Sequence, residues 1–285
     1  MTNLGVGMFK NTGKAILGAA LFVSASVVGM SAQAGEALDA IMKSKTLLVG
    51  SNSDYRPNAF MGDDNQLQGF DIDVSKEIAK RLGVEVQFVT PGWEIMTAGR
   101  WSGRWHMVVG SMTPTKARAQ VLDFPAVYYY TPAAFAVHKN SKATSLKDLD
   151  GKVIGVVGSS TYHKYLEHKL EIDAVGAPAF EYAVTPGEIK LYSDINEFDE
   201  LSLGDGVRLD ALAQSVPVIQ QAMKKGLPIK QLGDPIFYEP LAIAIDKGDK
   251  ELSDKLASIV EDMKSDGTLT KLSVKWHGAD LVSVK

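Results

Sequence analysis

Apolar residues follow two rhythms along this chain. Thr46-Leu47-Leu48-Val49-Gly50 is a short apolar run that predicts a buried strand, and Ser51-Asn52-Ser53-Asp54 reads as the loop at its end. The period then changes. Phe70, Val74 and Ile78 recur at i, i+4 and i+8 with Leu82 beyond, which predicts an amphipathic helix. Asp71 is its expected N-cap and Gly83 its C′ residue. Val84, Val86 and Phe88 alternate with polar residues, which is strand periodicity. Strand–helix–strand is the unit of a mostly parallel sheet covered by helices. Such sheets bind ligands at the carboxyl ends of their strands, which is where Asn52 and Ser111 fall.

Residues 122–137 are apolar and β-rich but carry Pro125 and Pro132. Two prolines are poorly tolerated in a central strand, whereas a segment crossing between lobes accommodates them. After a helical turn at 146–149, a strand at 151–157 ends in Gly158-Ser159-Ser160-Thr161, and a helix follows from about Tyr162. A second α/β unit therefore begins near residue 150. A strand at 209–215 follows a helix ending near 204–206. Separate strands are predicted at 229–232 and 241–245, a lysine-rich helix at 250–264, and a last helix from Asp266-Gly267-Thr268 to Trp276-His277-Gly278.

One segment carries recognisable chemistry. The apolar strand His106-Met107-Val108-Val109 runs into Gly110-Ser111-Met112-Thr113-Pro114-Thr115-Lys116-Ala117-Arg118, followed by Leu122-Asp123-Phe124. Hydroxyls and free backbone N–H groups at a strand end, with a guanidinium close behind, suit a carboxylate, because the planar fork of Arg118 can grip it with two parallel bonds. Ser160 and Thr161 open a helix, whose N-terminal N–H groups and dipole also favour an anion.

Composition narrows the setting. Lys10 and Lys14 precede an uncharged, mostly apolar stretch at 15–28, and Ala32-Gln33-Ala34 is an A-x-A cleavage site. That stretch is shorter than the ~20 residues a membrane span needs. Residues 1–34 are thus read as a signal peptide, which places the mature chain in a periplasm. There are no cysteines, so neither a disulfide nor a lipidated thiol is available. Removing Lys10 and Lys14 takes the formal charge from −4 to −6, which argues against nucleic acid as partner.

Rival chemistries find little purchase. His163 and His168 are five apart, off one helical face, and no H-E-x-x-H occurs, so no metal is expected. Asp63-Asp64-Asn65 opens like a calcium loop, but Gly69 and Glu77 are misplaced for one. Gly158-Ser159-Ser160 lacks the second glycine of a nucleophile elbow, and Gly155-x-x-Gly158 is too short for a dinucleotide fingerprint, so no cofactor is expected.

The motifs in order resemble a known family. They are Leu48-Val49-Gly50; Gly69-Phe70-Asp71-Ile72-Asp73-Val74 with Leu82-Gly83; Thr115-Lys116-Ala117-Arg118; Asp123-Phe124; Asp148-Leu149-Asp150-Gly151-Lys152; Leu209-Asp210-Ala211; and Lys275-Trp276-His277-Gly278. Over nearly the whole mature chain they are similar to the periplasmic solute-binding proteins of polar amino-acid ABC transporters, family 3. The resemblance implies a two-lobed α/β type II periplasmic-binding fold joined by two hinge strands. Lobe 1 would be 35–130 plus 237–285 and lobe 2 would be 131–236, closing on a ligand by hinge motion and docking on an inner-membrane ABC permease. The chain is read as a monomer and not as an enzyme.

The resemblance also implies roles. Arg118 matches the arginine that grips the ligand carboxylate, and Ser111 and Thr113 match the strand-end residues beside it. Tyr55 and Trp93 match the aromatic pair that sandwiches the ligand, and Ser160 and Thr161 match the loop that closes on the carboxylate. Asn52 stands where an acidic residue often helps, and Tyr238 joins the expected lining. One departure matters: the acid that pairs with an α-ammonium is replaced by Ser215, preceded by Gln214. An uncharged group pairs poorly with a primary ammonium in a dry cleft. Three readings follow. The ligand is an amino acid or an amino-acid-like carboxylate; or it is a betaine, an opine or a distal amine held by aromatic faces such as Tyr55, Trp93, Tyr128, Tyr129, Tyr130 and Tyr162; or the fold carries a periplasmic dehydratase-like enzyme, with Glu94 and Glu239 the nearest acid–base candidates.

Overall fold

A computed structural model describes residues 36–283, Gly176 excepted. The 1–34 leader and its Ala32-Gln33-Ala34 cleavage site lie outside the described residues. The chain runs α1 (Glu36–Ser44), β1 (Thr46–Gly50), β2 (Asp54–Tyr55), β3 (Ala59–Met61), β4 (Leu67–Gln68), α2 (Phe70–Leu82), β5 (Glu85–Val89), α3 (Trp93–Thr97) and β6 (Met107–Met112). It continues through β7 (Leu122–Asp123), β8 (Val127–His138), β9 (Val153–Val157), α4 (Thr161–Leu166), β10 (Glu188–Tyr192), α5 (Glu197–Ser202) and β11 (Ala211–Ser215). It closes with α6 (Val216–Lys224), β12 (Ile229–Asp246), α7 (Lys250–Ser265) and α8 (Thr268–His277).

The strands form one mixed sheet in the order β10-β9-β11-β8-β12-β6-β1-β5, with the hairpin strands β2–β4 apart. Both ends of the path are parallel α/β layers: β1 pairs β5 and β6 in parallel, and β9 pairs β10 and β11 in parallel. The long antiparallel pair β8 and β12 joins them. Side-chain alternation along β8 decides which core each residue enters. Ala133, Phe135 and Val137 pack with α4 and β9, while Ala134 and Ala136 pack with α5 and α6. Farther along, Tyr128, Tyr129, Leu241 and Ile243 join α1, α2, α7 and α8 in a separate core.

Pro132 sits inside β8, paired with Tyr238, and its position explains why it is tolerated. β11 ends opposite Ala133, and β6 joins β12 only from Ala242. Pro132 and Pro240 therefore fall where each strand has lost, or not yet gained, its second neighbour, so a missing N–H costs little. Two expectations need correction. Residues 229–232 and 241–245 belong to one strand, because Gly233 at φ 68 absorbs the apparent turn as an irregularity within β12. Asp71 is not the N-cap of α2; Gly69 is, at φ 130. Only glycine fits there, since a Cβ would lie 2.2 Å from the Asn58 carbonyl oxygen. Gly83 ends the helix in the left-handed conformation, as its position predicts.

Candidate functional site

The carboxyl ends of β1, β6 and β9 and the start of α4 converge on a cleft. Asn52, Tyr55, Trp93, Ser111, Thr113, Arg118, Ser160, Thr161, Tyr162, Gln214 and Glu239 are among its lining residues. Eight of the ten sequence-predicted site residues are thus brought together.

Arg118 opens a 3-10 turn after β6, and its own N–H bonds the Thr115 hydroxyl at 3.2 Å. The residue is only 7% exposed. Its guanidinium donates from Nη1 to the Thr113 carbonyl at 2.8 Å and from Nη2 to the Ser159 carbonyl at 2.9 Å. Its carbon stands 5.1 Å from the centre of the Trp93 ring, a cation–π contact. Burial lowers its pKa to about 10, against the pull of nearby Glu239, so it stays charged at neutral pH. No carboxylate of the described residues comes within 4.0 Å of it.

Glu239 is the hub of the wall beside Arg118. It accepts from Thr113 Oγ1 at 2.8 Å, from Tyr162 OH at 2.6 Å and from Thr161 Oγ1. Burial raises its pKa, and those three hydroxyls and the Arg118 charge oppose the rise. Beneath the cleft lies a second network. Ser111 donates to Asp71 at 2.8 Å, Tyr128 OH donates to the other Asp71 oxygen at 2.6 Å, and Tyr129 OH donates to Ser111 Oγ at 2.7 Å. Burial pushes Asp71 up to about 6. The Ser111 hydroxyl is thus occupied within the protein. Asn52 Nδ2 reaches the Gly110 carbonyl at 3.3 Å, and Ser160 Oγ caps α4 by accepting from His163 N at 3.1 Å.

Two predicted lining residues are displaced by one position. Tyr238 points away from the cleft, 39% exposed, because strand alternation turns its neighbour Glu239 inward. Ser215 is buried but outside the lining, and Gln214 takes the cleft-facing place. Ser215 N and Tyr55 OH both donate to Gln214 Oε1, at 2.8 and 3.1 Å. Of the aromatic set, Tyr55, Trp93 and Tyr162 line the cleft, whereas Tyr128 and Tyr129 are core residues packed on Phe70. His106 holds β1 to β6 by accepting from Leu48 N at 3.0 Å. His163 and His168 are taken up by Ser159 N and the Val184 carbonyl. Asp54, Thr90 and Asp194, which the motifs do not single out, also line the cleft.

The model of the bacterial extracellular solute-binding proteins, family 3, matches residues 47–279. The chain belongs to this family. Among family 3 relatives, the L-cystine-binding protein TcyJ of Escherichia coli (strain K12) is 29% identical over 263 residues, covering 90% of this chain and 93% of that protein. The structure of an ancestral arginine-binding protein bound to arginine is 33% identical, at TM-score 0.70 over 81% of this chain and 98% of its own. An ancestral amino acid-binding protein, a precursor of cyclohexadienyl dehydratase, is 31% identical, at TM-score 0.72 over 84% and 99% of the two chains. Among the described residues no helix is long and apolar enough to cross a membrane.

Proposed function

We propose that this chain is the solute-binding component of an ABC importer. It captures an amino acid, or a derivative with a free carboxylate, in the cleft, and presents the closed, loaded form to an inner-membrane permease. It works in the periplasm as a monomer, freed of residues 1–34. Its lobes are 35–130 with 237–285, and 131–236, and they close about the ribbon around Pro132 and Pro240. The observation that carries this reading is the buried, charged guanidinium of Arg118, which spends its bonds on two backbone carbonyls and has no carboxylate within 4.0 Å among the described residues. A buried cation of this kind is completed by an anionic ligand. Relatives named for L-cystine and for arginine support an amino acid as the ligand class. Betaines and opines remain within the class through the three aromatic walls.

A dehydratase-like enzyme would need an acid or base with a free position. Glu239 lines the cleft but already accepts from three hydroxyls, and Glu94 is outside the lining. These two carboxyls favour capture without turnover, in keeping with relatives named as binding proteins. A thermal-shift screen of amino acids, betaines and opines, with mass spectrometry of any co-purifying molecule, tests the whole reading. Ligand at a hundred times its Kd stabilises by about 2.7 kcal/mol, a shift of roughly 5–10 °C for a chain of this size. No shift with any carboxylate-bearing amine, or turnover of a cyclic acid, contradicts it.

A further inference from the structure

One carboxyl near the cleft has no role in the site described so far. Glu197, in the first turn of α5, is completely buried. Neither of its oxygens has a hydrogen-bond partner among the described residues. A buried carboxyl in that condition needs an explanation. It packs against Gly155 of β9, where an added Cβ would come within 3.2 Å of Glu197 Cβ. Its own backbone N–H and, after it, the Gln214 side chain lie near enough to favour its charged form without reaching bonding geometry. Within the Gln214 side chain, only the amide N–H can act in that sense. Gln214 Oε1 is turned the other way, toward Tyr55 OH and Ser215 N. Gln214 thus stands between the cleft and the buried carboxyl.

We propose that Glu197, acting through Gln214, supplies the negative charge that holds the ligand's ammonium, in place of an acidic side chain at Ser215. This rests on the reading of the cleft as an amino-acid site. The ammonium donates to Gln214 Oε1 and displaces the Tyr55 hydroxyl, which has Ser215 Oγ at 3.3 Å as its other partner. Gln214 Nε2 then donates to Glu197, and the polarised amide transmits the carboxylate's field to the ligand. Glu197 is a positioning residue that does not touch the ligand.

The arrangement couples binding to a proton. Burial pushes Glu197 up to about 8, and Asp194 and Asp199 push the same way. The cations of this region, Lys190 and Arg208, bear on Glu200. The segments 133–137, 153–157 and 211–215 of the neighbouring strands bring no ionisable side chain. An arriving ammonium favours the ionised carboxyl, so binding releases a proton and tightens as pH rises toward 8.

The test is calorimetry of L-arginine, L-cystine and L-glutamine in two buffers of different protonation enthalpy. It uses the wild type, Glu197→Gln, Gln214→Leu and Arg118→Ala. For whichever amino acid binds, wild-type affinity rises up to about tenfold per pH unit between about pH 6 and 8, with proton release. Glu197→Gln, folded by circular dichroism, binds with no proton release and a flat profile, about tenfold or more weaker at pH 8. Gln214→Leu gives the same loss of proton release and serves should Glu197→Gln not fold. A flat wild-type profile with Glu197→Gln binding normally overturns the proposal. If Arg118→Ala still loses binding in that case, the amino-acid reading stands alone. If neither these three nor any amino acid, betaine or opine of the thermal-shift screen binds the wild type, both readings fall together.

Discussion

His277 shows how much a single half-buried side chain can set. It is stacked on Tyr129 and edge-on to Phe70, and neither ring nitrogen has a partner among the described residues. Burial lowers its pKa to about 4. The folded state therefore binds fewer protons than the unfolded state between about pH 4 and 6.5, and stability is lost as pH falls through that window, by up to about 3 kcal/mol. Asp71 has the opposite sign: its pKa is raised to about 6, so stability is lost as pH rises from 3.8 toward that value. The two partly cancel, so the difference between wild type and His277→Phe isolates the histidine. Chemical denaturation should show the variant gaining on the wild type between pH 6.5 and 4.5, and parallel curves would refute the assignment.

The residue scale also shows what a sequence hides. Arg118, Thr113, Ser160 and Thr161 were legible because a strand end followed by hydroxyls and a guanidinium is a local pattern. Tyr238 and Ser215 were each one position from the residue that faces the cleft. Tyr238 beside Glu239 and Ser215 beside Gln214 are each two adjacent polar-tipped residues, so no contrast of apolar and polar marks which of the two faces the cleft.

At the scale of elements, α2 was predicted with both ends nearly right, because its apolar period and Gly83 are unambiguous. The hairpin strands β2–β4, of two or three residues each, carry too short a pattern to read. Their position against α2 depends on Gly69, whose missing side chain lets the Asn58 carbonyl approach and accept from Asp71 N at 2.8 Å. Gly69→Ala should cost about 2 kcal/mol or more in thermal denaturation, from both the positive φ and the backbone clash. A cost under about 0.5 kcal/mol would mean that the hairpin is free to shift.

Across the whole molecule, residues from both ends of the sheet path meet at the cleft. Thr113 after β6 and Thr161 and Tyr162 of α4 all donate to Glu239 on the crossing strand β12. Farther out, Thr115 bridges Ile172, and Lys116 pairs with Glu171 at 3.2 Å. These contacts differ in worth. The Lys116–Glu171 pair is 62% exposed on each side, so Lys116→Ala should change stability by less than about 1 kcal/mol. Glu239→Ala leaves three buried hydroxyls without their acceptor and should cost about 2–4 kcal/mol. Denaturation of the two variants side by side checks the ranking, and equal costs would contradict it. Pro132 as a crossing residue was visible in the sequence, but Pro240 and β12 as one continuous strand were not, since Gly233-Asp234-Pro235 reads locally as a turn.

Arg118 is the proposed grip on the ligand's carboxylate, and calorimetry on Arg118→Ala reads that role out. Using whichever amino acid stabilises the wild type, the folded variant should lose at least about a hundredfold in affinity, in line with the few kcal/mol that removing one partner of a buried charge pair costs. A folded Arg118→Ala variant that binds with near wild-type affinity would contradict the account.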